Sequence, residues 1–268
     1  MNNRGLLLAL VFLSLMQGCL SPFVSPLLGS DDDAISCTPV KNPAIVLSFD
    51  DQINIRSWNA TRDLFNAYEI RATFFVDRWQ NIDAEEMGIL QNLSKDGHEI
   101  GFHTVHHADY FTYLEANNTA QDYYEREILP GLALVAELGF SPTSFAYPHG
   151  HRDSDIDEWL LANFTALRGT SSNTEGSHHW RTACIELGVF RSFGIPHEDH
   201  EEDVFSAKNL TMMNEIAHLD EQTPSLLFLN GHGITDGGSP ISETYLELLF
   251  DQIQKHQLHT ILMSEIQS

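Results

Sequence analysis

Short apolar runs alternate with longer amphipathic stretches along most of this chain. Ala44-Ile45-Val46-Leu47-Ser48-Phe49 is almost uniformly apolar and rich in β-forming residues, which predicts a strand buried on both faces. Residues 57–68 read as a helix and Ala72-Thr73-Phe74-Phe75-Val76 as a second strand. A further helix is expected over 84–95, stopped by Asp96-Gly97, before the strand Glu99-Ile100-Gly101-Phe102. A long helical stretch over 118–138 leads to a strand at 143–147. The alternation continues with helix at 155–163, strands at 165–168 and 187–192, helix at 206–218, strand at 225–229, helix at 243–255 and a last strand at 259–263. Such alternation implies an α/β domain of parallel strands covered by helices, either a barrel or an open sheet. Chemistry-bearing residues gather at the C-terminal ends of the strands, which favours the barrel.

The patterned region is expected to fill residues 42–268 as one domain, since no internal repeat or long linker divides it. Residues 20–41 are rich in Ser, Pro and Asp without a sustained apolar period and read as a tether. Residues 1–19 have Arg4, an apolar run from Leu6 to Leu15 that is short for a membrane span, and Gly18-Cys19 at the end. This resembles a bacterial lipoprotein signal, which implies export and anchoring at the cell envelope, periplasm or outer membrane, through a lipidated Cys19. Met16 and Gln17, unusual just before the cleavage point, leave ordinary signal-peptide cleavage and an uncleaved anchor as the alternatives. Cys37 and Cys184 would then remain as an even pair, either disulfide-bonded or as two separate thiols.

The formal net charge is −24. That field repels a phosphate backbone and argues against nucleic-acid binding. With 42% hydrophobic residues the chain has enough apolar surface to form a core.

Three stretches carry candidate chemistry: Ser48-Phe49-Asp50-Asp51, His103-Thr104-Val105-His106-His107, and Asn230-Gly231-His232. Adjacent carboxylates at a strand end point in different directions, so one can bind a cation while the other accepts a proton. Two imidazoles four residues apart can converge on one ion, and a distant histidine can serve as the acid of a metal-assisted hydrolysis. His106, beside His107, leaves the choice of second imidazole open at this level.

Ile45 to Asp51, Ile70 to Val76 and Gly97 to His107 closely resemble the polysaccharide deacetylases, carbohydrate esterase family 4, also called the NodB-homology domain. The resemblance implies a distorted β/α barrel of about seven strands. It implies Asp50 as general base, and Asp51, His103 and His107 as ligands of a divalent cation. Zinc suits that donor set best, and cobalt, nickel or iron also fit it. Phe145-Ala146-Tyr147-Pro148-His149-Gly150 resembles a groove-lining motif in which the backbone N–H of His149 helps hold an oxyanion. Leu227 to His232 resembles the last family motif, with His232 as general acid. The implied reaction removes N-acetyl or O-acetyl groups from a glycan. The alternatives are a glycan-binding protein with an inactive pocket and an amidase on a non-sugar C–N bond.

The chain departs from the family pattern in three places. Ala146 stands where many members have an arginine that orients the base, and Arg191 is the expected substitute. Asn230 replaces a common leucine, and Gln52 follows the aspartate pair in place of a frequent glycine. Trp58, Trp79, Trp159 and Trp180 are expected mainly in packing. His178-His179-Trp180 is expected in a flexible loop. Asp153, Asp155 and Asp157 are accounted for equally by a helix N-terminus and by a calcium site.

Overall fold

The computed structural model describes residues 42–170, 179–181, 188–195, 207–217, 219, 225–236 and 239–266. The expectations for the signal, the tether, Cys19, Cys37, His178 and Cys184 lie outside these residues. Among the described residues no helix is long and apolar enough to cross a membrane.

Nine strands are described: β1 (Ala44–Asp50), β2 (Thr73–Val76), β3 (Glu99–Phe102), β4 (Ser144–Ala146), β5 (Ala166–Thr170), β6 (His179–Arg181), β7 (Val189–Gly194), β8 (Ser225–Gly231) and β9 (His259–Ile261). Strands β1, β2, β3, β4, β5, β7 and β8 follow one another in parallel, and β8 pairs back onto β1 from Ala44↔Leu226 to Phe49↔Gly231. Seven parallel strands thus close a ring, the expected distorted barrel. Closure removes the edges that an open sheet would expose. β9 adds to β1 outside the ring, and β6 lies antiparallel on β8, with His179 opposite Leu227. His179 and Trp180 therefore belong to a strand, not the expected loop.

Every residue of β1 and β8 is buried, as continuous apolar runs predict. Alternation sorts their side chains into two cores. Ile45, Leu47 and Phe49 join the larger cluster under the helices, whereas Ala44 and Val46 join Phe75, Ala146, Ala166, Phe190, Leu226 and Phe228 in a smaller cluster inside the ring. The same parity sends Ser48, Asp50, Arg168, Ser192 and Asn230 inward, above that apolar filling.

The helices are α1 (Ile55–Ala60), α2 (Arg62–Ala67), α3 (Ala84–Lys95), α4 (Tyr110–Glu115), α5 (Ala120–Tyr123), α6 (Leu129–Glu137), α7 (Ser154–Leu161), α8 (Ala207–Ala217) and α9 (Glu243–Lys255). The helix expected over 57–68 is broken at Thr61 into α1 and α2. The stretch expected over 118–138 is α5 and α6 joined by a π turn at Tyr124–Ile128. Asp153 caps α7 by accepting from the backbone of Asp155 and Ile156, and Asp157 accepts from Arg152 and the Tyr147 hydroxyl. The helix N-terminus, not a calcium site, accounts for these aspartates. Trp58 and Trp79 are buried, and Trp159 is 39% exposed.

Candidate active site

The upper barrel interior positions Asp50. The residue is 4% exposed, and its Oδ2 accepts from an Arg168 guanidinium nitrogen at 2.5 Å. Arg168 is 1% exposed, lies over the Phe75 ring at 5.2 Å, and donates its other terminal nitrogen to Ser192 Oγ at 3.2 Å. Gly101 leaves room for that ring, since a Cβ there would come within 2.5 Å of it. Ser192 Oγ in turn lies 2.8 Å from Asn230 Oδ1 and 3.1 Å from Gly169 O, either of which can take its proton. A buried charge persists only when paired and hydrogen-bonded, and these contacts give each terminal nitrogen of Arg168 a partner, whereas its Nε is buried without one. Asp50 Oδ1 is buried with no hydrogen-bond partner.

The arginine on Asp50 is therefore Arg168 and not Arg191. Arg191 is an exposed residue of β7, because strand parity points it away from the inward-facing Phe190 and Ser192. The sequence did hold a signal for Arg168: a permanent charge inside an otherwise apolar strand requires a buried anion as partner. Ala146 and Asn230 belong to one rearrangement, in which the arginine comes from β5 and Asn230 completes its polar surroundings.

Asp51 follows at the barrel mouth with φ 79°. Gln52 holds this strained turn: its N–H donates to Asp77 Oδ1 at 2.7 Å and its side-chain amide to both oxygens of Glu86 at 3.1 and 3.0 Å. Asn54 donates to the Asp50 carbonyl at 2.8 Å. Gln52, where the family pattern often has glycine, thus fastens the turn that carries the Asp51 carboxylate.

The segment after β3 brings in both histidines. His103 directs Nδ1 to the Ala146 carbonyl at 2.7 Å, so that nitrogen carries the proton and Nε2 keeps its lone pair. Thr104 and His107 have positive φ, 72° and 58°, and the Thr104 hydroxyl accepts from the His107 N–H at 2.9 Å. His106 is turned aside. Glu127, presented by the π turn, accepts from the His106 N–H at 3.0 Å and contacts its Nδ1 at 2.9 Å. That contact resolves the choice between the adjacent imidazoles in favour of His107.

Among the described residues, Asp51, His103 and His107 form the one group whose donor atoms all lie within 4.8 Å of one another. His103 Nε2 and His107 Nε2 are 3.6 and 3.1 Å from Asp51 Oδ1, which is buried yet has no aligned hydrogen-bond donor. Two imidazole nitrogens and an orphaned carboxylate oxygen around one point suit a divalent cation. Burial opposes ionisation of Asp51, but contact with His107 and the fields of His103, His232 and His107 hold its carboxyl well below the usual range. Burial pushes His103 down despite the nearby aspartates, keeping it neutral, as a ligand must be. Burial pushes His107 down, but contact with Asp51 and the fields of Asp51 and Asp77 together leave it raised.

His232 reaches the mouth from the end of β8, with Nε2 3.9 Å from Asp51 Oδ2 and a side chain 40% exposed. Its carbonyl accepts from Trp58 Nε1 at 2.9 Å, which anchors the backbone while the ring stays accessible. His149 lies in the turn Pro148–Gly150 with φ 58°, its ring 5.0 Å from that of His107. Gly150 follows with φ 76°, and a Cβ there would approach Thr170 Oγ1 to 2.1 Å, so the turn requires glycine. The structure thus gathers Asp51, His103, His107, His149 and His232 at one mouth, sets Asp50 beneath it and leaves out Arg191.

The model of the polysaccharide deacetylase family matches residues 38–166, the span that holds Asp50, Asp51, His103, His107 and His149. Match, fold and site are each similar to one class: the β/α barrels of the polysaccharide deacetylase family. A peptidoglycan-N-acetylglucosamine deacetylase of Bacillus cereus is 28% identical over 113 residues, 42% of this chain and 49% of that protein. The matched region is about half the length of that curated relative. The fold is similar to the Xyl-CE4 domain of a multidomain xylanase from the hindgut metagenome of Trinervitermes trinervoides, with TM-score 0.55, 16% identity, and coverage of 84% of this chain and 89% of that one. It is also similar to a family 4 acetyl xylan esterase from Clostridium thermocellum solved with a cobalt ion, with TM-score 0.54, 16% identity, and coverage of 83% and 89%. At these identities the two structures bear on the fold alone.

Proposed function

We propose that this protein is a divalent-metal-dependent hydrolase that removes acetyl groups, N-linked in preference to O-linked, from a glycan. The observation that carries the reading is the half-satisfied Asp50, one oxygen on Arg168 and the other unpartnered, directly behind the Asp51, His103 and His107 cluster. The class supports it, as do the names of the relatives, one a deacetylase of peptidoglycan N-acetylglucosamine and one an esterase of acetyl xylan.

Asp51, His103 and His107 would hold the cation. Zinc is the default for this donor set, and the cobalt of the Clostridium esterase belongs to the same range. When bound, such an ion polarises a carbonyl and acidifies water. Asp50 takes the proton of the attacking water on Oδ1, while Arg168 keeps Oδ2 fixed so that the free oxygen has one orientation. The backbone N–H of His149 faces the developing oxyanion; one such donor contributes about 2.7 to 4 kcal/mol of transition-state stabilisation. His232, solvent-accessible at the mouth with Nε2 3.9 Å from Asp51 Oδ2, gives a proton to the leaving nitrogen or oxygen.

The reading is tested by acetate release from acetylated chitooligosaccharides and acetyl xylan after zinc or cobalt loading, with metal content measured in parallel. Metal binding at one equivalent with acetate release supports it. Full activity after the cation has been removed and shown absent would refute it.

We further place the enzyme outside the cytoplasm, held to a membrane through Cys19, on the signal-like pattern of residues 1–19. Metabolic labelling with a fatty acid should mark the wild type and not a Cys19→Ser variant. Equal labelling of both would exclude the anchor.

A further inference from the structure

An aromatic row leaves the mouth of the barrel on one side. Ring centroids step from His107 to His149 at 5.0 Å, from His149 to His151 at 6.4 Å and from His151 to Phe111 at 4.9 Å, the last two rings lying 16° from parallel. The row starts on a ligand of the metal cluster and ends in solvent. The His151 side chain is 50% exposed and Phe111 is 43% exposed.

A single exposed phenylalanine is ordinary, but this one is held in place. Asp109 Oδ1 caps α4 by accepting from the Thr112 N–H at 2.7 Å, and its Oδ2 fixes His151 Nδ1 at 2.5 Å. The neighbouring Tyr110 is buried, and its hydroxyl contacts both oxygens of Asp153, the cap of α7, at 2.9 and 3.0 Å. These two contacts clasp the segment after β3 to the segment after β4, and the Phe111–His151 stack sits on the clasp. Much of the side-chain freedom that a ligand would otherwise freeze is already restricted.

A pyranose ring offers a face of C–H groups edged by hydroxyls. An aromatic face beside an imidazole whose Nε2 is left for a hydroxyl matches that chemistry. A neutral sugar also suits a chain of net charge −24, which disfavours anionic partners. We propose that Phe111 and His151 form a sugar subsite that receives a pyranose of the same glycan, adjacent to the residue losing its acetyl group. The proposal rests on the glycan reading of the site and sharpens it: the substrate is an oligomer or polymer, not a single sugar.

The test is calorimetric titration of zinc-loaded full-length protein carrying Asp50→Asn, which suppresses turnover, with the monomer and the tetramer of N-acetylglucosamine. Adding Phe111→Ala should weaken tetramer binding about fivefold, the equivalent of about 1 kcal/mol of ring stacking, with monomer binding and thermal melting unchanged. Phe111→Trp should retain the tetramer affinity. Equal tetramer affinity with and without Phe111→Ala, or no tetramer binding by the parent, would overturn the subsite. Acetate release by the protein with Asp50 intact separates the two claims: Phe111-dependent binding without any release leaves the subsite standing and removes the deacetylase reading.

Discussion

The two ends of the barrel each hold a carboxylate and a histidine, and the fold treats the two pairs differently. At the N-terminal end every Glu99 oxygen has a donor: Oε1 accepts from Ser144 Oγ at 2.7 Å, and Oε2 from Thr73 Oγ1 at 2.9 Å and the Ser264 N–H at 3.0 Å. His98, just before it, accepts on Nδ1 from the Ala72 N–H at 3.1 Å and packs edge-on against Phe65 and Phe74, so that its Nε2, which has no hydrogen-bond partner, is sealed in the core and away from the mouth. At the C-terminal end Asp50 keeps one oxygen unpartnered, and His103 spends Nδ1 on Ala146 and aims Nε2 at Asp51. One strand, β3, connects the two: His98 precedes it and His103 follows it. Residue type and burial alone do not separate structural from chemical groups here. The carboxylate oxygen and imidazole nitrogen that face the mouth without a protein hydrogen bond are the ones placed for chemistry.

The largest expected effect is at Asp50. Asp50→Asn should lower acetate release by about 10²- to 10⁴-fold with metal content unchanged, because the proton acceptor is lost and the ligands are not. Activity within a few-fold of wild type would break the contrast between the two ends. Arg168→Met removes the buried partner of Asp50 and should cost about 3–5 kcal/mol in urea unfolding at neutral pH. A cost near zero would mean that Asp50 does not depend on that cation.

His98 sharpens the comparison through pH. Burial pushes its imidazole down to about 4, against the opposing field of Asp96. Its unfolded value lies near the ordinary one, about 6.5, so between these limits the unfolded chain binds the extra proton. Stability from this residue is therefore present at pH 7, falls as pH drops below about 6.5, and is exhausted near its folded value. From pH 7 to 5 the loss is about 2 kcal/mol. Chemical denaturation at both pH values should show that difference in wild type and a smaller one in His98→Asn, whose side-chain oxygen can still accept from Ala72. Identical slopes would show that His98 does not titrate as a buried group.

The smallest effect belongs to Glu99→Gln. It should cost about 1–2 kcal/mol in stability by disturbing three satisfied hydrogen bonds, and leave acetate release unchanged. A fall in acetate release parallel to that of Asp50→Asn would erase the distinction between the ends.

Much of this arrangement was legible along the chain. The apolar runs at 44–49, 72–76, 99–102 and 225–229 were read as strands because burial on both faces leaves no polar alternation. Asp50, Asp51, His103 and His107 stood out because strand ends carry them in local groups. Arg168 was not assigned because its meaning depends on Asp50, 118 residues earlier. β6 was missed because a three-residue strand has too little pattern to distinguish it from a loop. The breaks at Thr61 and at Tyr124–Ile128 left the apolar spacing almost intact, so the helices there read as continuous.

Sequence by itself determined the class of fold, the order of its strands along the chain and the short stretches that hold the candidate aspartate and histidine donors, because all of these are local: burial period, turn residues and short motifs. Only the tertiary structure decided which arginine meets Asp50, why Asn230 and Gln52 are tolerated, which of His106 and His107 turns inward, and that Phe111 meets His151. Each of those depends on which strands become neighbours when β8 closes onto β1, and chain closure brings together residues that no local period relates.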